Sequence, residues 1–72
     1  MTDIEFQIEC LTRDLILLLI ERQGMSMQDA LHTLYTSDTY IKLKDTRSGL
    51  YFQSPGYVYD FLDKEISTGK VE

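Results

Sequence analysis

Six consecutive apolar residues, Leu15-Ile16-Leu17-Leu18-Leu19-Ile20, lie inside a stretch whose spacing is helical. Ile4, Ile8, Leu11, Leu15 and Leu18 recur in steps of three and four, the period of one helix face. Phe6, Cys10, Leu17 and Ile20 form a second stripe beside it. Six residues exceed one helical turn, so the run cannot all face one way, and protein must cover most of its circumference. The pattern predicts a first helix over 3–23. Thr2 and Glu5 fit a capping box, Asp3 and Glu5 suit the positive end of the helix dipole, and Arg22 suits the last turn. Gly24 can take the left-handed conformation that ends a helix.

The pattern then restarts. Ser26 with Asp29 opens a second helix over 26–35, whose apolar stripe is Met27, Ala30, Leu31, Leu34 and Tyr35. Its short link to the first helix predicts an antiparallel or steeply crossed pair. Ser37-Asp38 is a helix-start signal for a short third helix over 38–44. A strand competes there, because Tyr40, Ile41 and Leu43 nearly alternate with Lys42 and Lys44. Asp45 to Gly49 reads as a turn. Leu50 to Gln53 has no second strand-like segment to pair with, which predicts an extended plug at 50–53 carrying Leu50 and Phe52 into the gap between helices. Ser54-Pro55 opens a last helix over 55–67, since proline suits the first helical position. Tyr57, Val58, Phe61, Leu62 and Ile66 supply its buried stripe, with Asp60, Asp63, Lys64 and Glu65 outside it or at its edge. Gly69 is the latest stop, and the tail from Lys70 to Glu72 reads as frayed. The fold class is all-α, a single domain of three main helices and one short one.

Length sharpens the problem of covering that first helix. The chain has 72 residues. A chain this size buries only about 60% of its unfolded surface. Small domains often add disulfides, a metal or a partner subunit. With one cysteine, Cys10, and one histidine, His32, a disulfide within the chain is excluded and neither a metal nor a cofactor is expected. What remains is a partner, and the broad apolar band of the first helix predicts a homodimer.

Charge removes other classes. Seven basic against twelve acidic residues give a net charge of −5, a field that repels phosphate backbones and anionic membranes. The apolar run falls far short of the roughly 20 residues that span a bilayer. A lone cysteine and no signal-like segment point to the cytoplasm.

Catalytic candidates are few. Cys10 and His32 are the one natural nucleophile and base, but Cys10 sits on an apolar stripe and His32 on an outer face, the pattern of a core thiol and a surface imidazole. Asp60 and Asp63 lie one turn apart on what reads as a solvated face. The glycines are scattered, so no phosphate loop exists. The chain reads as a non-enzyme. Lys42, Lys44 and Arg47 would serve the alternative, a small acidic DNA-binding regulator with a helix-turn-helix-like pair, but Asp38 and Asp45 flank them. Tyr51, Phe52, Tyr57, Tyr59 and Phe61 crowd into eleven positions, and tyrosine is enriched at interfaces. Tyr57 and Tyr59 stand about 200° apart on one helix, so one of them faces outward; Tyr59 is the expected one. The candidate contact surface is Leu17, Ile20, Tyr57 and Tyr59.

Leu34-Tyr35-Thr36-Ser37, Gly49-Leu50-Tyr51-Phe52-Gln53-Ser54-Pro55 and Tyr57-Val58-Tyr59-Asp60-Phe61-Leu62, following an apolar first helix, resemble segments of short, uncharacterised bacterial proteins. These are similar to a family of unknown function that can sit beside toxin-like genes, including ADP-ribosyltransferase-like ones. The resemblance implies a helical protein that binds a partner such as a toxin, in the manner of an antitoxin. It marks no catalytic residue. The function expected is therefore a non-enzymatic protein–protein interaction module that docks through apolar helix faces.

Overall fold

A computed structural model describes residues 3–68, and its architecture is all-α. Helix α1 spans Asp3–Gln23, α2 Met27–Tyr35, α3 Asp38–Lys44 and α4 Pro55–Thr68, with short 3-10 turns at Thr46–Ser48 and Leu50–Phe52 between α3 and α4. The helical reading of 38–44 holds over the strand reading. At 1.5 Å per residue α1 is about 31 Å long, which matches the 32 Å longest dimension of the molecule. It is the beam against which α2, α4 and the Leu50–Phe52 turn pack, while α3 closes the far side against α4 and α2. Thr2, Gly69 and the 70–72 tail, on which one capping expectation and the final stop rested, lie outside the described residues.

Local chemistry sets the boundaries. The Ser26 hydroxyl accepts from the Asp29 amide, and the Ser37 hydroxyl accepts from the Tyr40 amide. Gly24 ends α1 at φ 70°, and Gly49 separates the two 3-10 turns at φ 74°, a region side-chain-bearing residues rarely enter. Asp45 caps the first 3-10 turn by accepting from the Arg47 amide.

The core is formed by Leu11, Leu15, Ile16 and Leu19 of α1, Ala30 and Leu34 of α2, Leu43 of α3, and Val58, Tyr59 and Leu62 of α4. Of the six-residue run, Leu15, Ile16 and Leu19 are buried and Leu18 and Ile20 half-buried against the core, but Leu17 remains 47% exposed. The chain thus covers most of the band and leaves one edge open. That edge includes Phe6, 60% exposed, so the second stripe of α1 is largely an outer one, and Ile16 and Leu19 fill the core places that two stripes read separately do not reveal.

Two further expectations are corrected. Leu50 to Phe52 coils into a 3-10 turn, and only Gln53 is extended. Leu50 and Tyr51 pack on the core while Phe52 is 72% exposed; a turn of three residues per revolution cannot put residues 50 and 52 on one side as a strand would. Likewise Tyr59, expected outward, is 5% exposed, and Tyr57 is the outward one at 48%. The cause lies at the end of α1. Gln23 Nε2 donates to the Tyr59 hydroxyl and to Asp63 Oδ1, each at 2.9 Å. The Arg22 guanidinium stands 5.6 Å from the Tyr59 ring centre. These contacts turn the buried face of α4 toward Tyr59.

Candidate functional site

Leu17 borders a groove of about 430 Å³ whose walls come from three helices. Ile8, Ile16 and Leu17 of α1, Met27 and Tyr35 of α2, and Tyr40 of α3 make it apolar, and Glu9, Thr12 and Arg13 of α1 edge it. The sequence places these residues through one simple device. Positions 8, 12 and 16 and positions 9, 13 and 17 form two adjacent rows in steps of four, so they occupy one side of α1. Met27 begins α2 directly after its Ser26 cap, and Tyr35 is its last residue, so both lie at the ends of a short helix that cannot bury its whole apolar stripe. Tyr40 leans on Tyr35 with ring centres 5.0 Å apart, and Lys44 Nζ stands 5.3 Å from the Tyr40 ring.

Leu17, Met27 and Tyr35 are each about half exposed, although together they offer apolar surface that a free-standing domain gains by hiding. Thr12 is not a free donor, since its hydroxyl donates to the Ile8 carbonyl at 2.7 Å. Arg13 is drawn loosely to its neighbour Asp14, 3.5 Å away, with a side chain 70% exposed. The groove therefore has greasy walls and one exposed charge of each sign at its edge. It can take up an apolar side chain; it has no oriented nucleophile and base.

The structure does not gather the four expected contact residues. Leu17 borders the groove. Ile20 is half-buried against the core. Tyr59 is inside. Tyr57 is exposed on α4, its ring edge-on to Phe61 at 5.2 Å, and does not line the groove. Met27, Tyr35 and Tyr40 were missed as contact residues, although a clue existed: α2 and α3 carry more large apolar side chains than helices of nine and seven residues can turn inward.

Lys42, Lys44 and Arg47 are all exposed. Lys42 and Lys44 are two positions apart on α3, about 200° around its axis. Arg47 folds back on Asp45, Nε to Oδ1 at 3.1 Å. That hydrogen bond, followed by the one from the Arg47 amide, holds the Asp45 carboxyl below the usual carboxylate range and raises Arg47. The three cations thus do not form one phosphate-facing row.

His32 lines a separate depression of about 290 Å³ with Thr33, Thr36, Ser37, Leu62, Glu65 and Ile66. Cys10, half-buried on α1, is not among its walls. Among the described residues no three His, Cys, Asp or Glu side chains are placed to hold a metal ion, and no helix is long and apolar enough to cross a membrane.

Fold and site together define a small helical bundle with an open apolar groove. Comparisons with protein-family models, with curated proteins and with solved structures find no match for this chain.

Proposed function

We propose that this protein is a non-enzymatic interaction module that docks on another protein through the groove between α1, α2 and α3. One observation carries the reading: Leu17, at the middle of the most apolar run in the chain, stays about half exposed beside Met27 and Tyr35. Burying such surface contributes roughly 25 cal/mol per Å² before the costs of association. The resemblance to short bacterial proteins found near toxin-like genes gives the reading its biological form, an antitoxin-like partner of the cytoplasm.

The test is a comparison of the tagged wild-type chain with Leu17→Glu as baits in the host cell, read by quantitative mass spectrometry. A protein held by the wild type and lost by Leu17→Glu supports the proposal. Equal recovery by both baits overturns it, provided that circular dichroism shows both baits to be folded.

A further inference from the structure

Phe6 lies just N-terminal to the α1 wall of the groove, which runs from Ile8 to Leu17, and in line with the Leu17 edge of that wall. At 100° per residue, Phe6, Cys10, Arg13 and Leu17 fall within about 60° of one another around the axis. Their steps of four, three and four are those of a coiled-coil seam. Phe6 projects from the N-terminal part of this seam, and Leu17 stands at the lip of the groove near its other end. A protruding ring and a receptive groove on one face are what a two-fold axis needs, because it pairs each with the other twice.

We infer that the groove is filled by a second copy of this chain, with the two α1 helices antiparallel and Phe6 of each copy seated against Leu17 of the other. This deepens the interaction reading above and rests on it. The register follows from the seam. Antiparallel packing that sets Phe6 against Leu17 also sets Cys10 against Arg13, so the pairing closes on itself. Charge then decides the direction. A parallel pair would stack Arg13 on Arg13 and the acidic ends, with Asp3, Glu5 and Glu9, on each other. The antiparallel pair brings the exposed Arg13 beside the exposed Glu9 of the second copy, where its long stem can reach the flank of the seam. It also opposes the helix dipoles. The mutual repulsion of two chains of charge −5 is largely screened at physiological salt, where the Debye length is about 8 Å.

Sedimentation equilibrium of the full chain, with cysteine cross-linking in a Cys10→Ser background, tests the pairing. The wild type should dimerise. Leu17→Glu, which forces a carboxylate into the seam, should raise the dissociation constant roughly a hundredfold. Glu9→Arg and Arg13→Glu should each weaken the dimer, and the two together should restore it. Phe6→Cys with Leu17→Cys in one chain should give a covalent dimer, since the two positions lie about 16 Å apart within a helix and cannot bridge there. A wild type that stays monomeric at all concentrations overturns the inference, as does cross-linking by Phe6→Cys alone, which signals parallel helices. Either result leaves the interaction reading to the bait comparison, which reads capture of a protein other than this chain by the same groove.

Discussion

Glu65 of α4 and Thr39 of α3 are joined through one carboxylate oxygen: Glu65 Oε1 accepts from the Thr39 amide at 3.0 Å and from its hydroxyl at 2.8 Å. Oε2 accepts from the Asp38 amide at 2.7 Å. A helix leaves its first amides without partners, and here a side chain 26 positions away in sequence supplies them. Thr39 is fully buried, so its hydroxyl has no water to fall back on. Glu65→Ala should cost about 1–3 kcal/mol, the penalty for leaving buried donors unmade. Thr39→Val should cost about 1 kcal/mol, since it removes one donor and keeps the shape. Urea denaturation of both single variants and the double should give a sum smaller than additive, because the two share a bond. Additive losses would mean that the residues act separately.

That bond also marks the limit of what could be read in advance. Helices, caps and the left-handed Gly24 were legible because each depends on residues within four positions: Ser26 on Asp29, Ser37 on Tyr40, Gly24 on the end of its own helix; Gly49 read only as part of a turn. The all-α bundle follows from them. The tertiary cap was not legible, since Glu65 looks like any charged residue at the edge of an amphipathic helix. The site was half legible. Leu17 stands out as the surplus in an over-wide apolar run, but the rotation of α4 depends on Gln23 finding Tyr59, and the groove depends on how α2 and α3 sit on α1. A period of 3.6 places residues on a face; it does not say which part of the face a neighbour will reach.

Leu15 and Leu17 share a helix and a residue type but differ in surroundings, which yields a sharp contrast. Leu15 is fully buried in the core. Leu15→Ala removes packed atoms and leaves a cavity, at about 2–5 kcal/mol. A domain of this kind has roughly 5–15 kcal/mol of total stability, so the variant should melt far earlier. Leu17→Ala loses only partly buried surface, and at micromolar or lower concentrations its unfolding should shift by about 1 kcal/mol or less. Chemical denaturation under identical conditions checks both. Equal losses would show Leu17 to be packed as tightly as Leu15.

Asp45 and Arg47 give a pH signature whose sign is fixed by the structure. The Arg47 side chain first, and its amide second, stabilise the ionised Asp45 carboxyl and lower its pKa in the folded state. A depressed carboxylate contributes stability that is fully present above its unfolded-state pKa and disappears as pH falls through the lower folded value. Carbon-detected NMR titration should find the Asp45 midpoint below that of an unfolded peptide. Arg47→Ala should move it up, the retained amide hydrogen bond keeping part of the depression. An unchanged midpoint would show that the ion pair does not hold in solution.

Tyr59 and Tyr57 differ by two positions, and the same substitution should cost far more at the buried one. Tyr59 is buried, its hydroxyl accepts from Gln23 Nε2, and its ring lies under the Arg22 guanidinium. Tyr59→Phe keeps the ring and removes the acceptor. Gln23 still bonds Asp63, so the loss should be about 1 kcal/mol, that of a single hydrogen bond. Tyr59→Ala also empties the ring site and should cost about 3–5 kcal/mol. Tyr57 stands half outside against Phe61, and Tyr57→Ala should cost about 0.5–1.5 kcal/mol, the scale of one aromatic pair. Gln23→Ala provides the control. In that background Tyr59→Phe should become nearly neutral, because the partner of the hydroxyl is already gone. If Tyr59→Phe costs as much there as in the wild type, the hydroxyl acts through some other contact, and the rotation of α4 must be explained without Gln23.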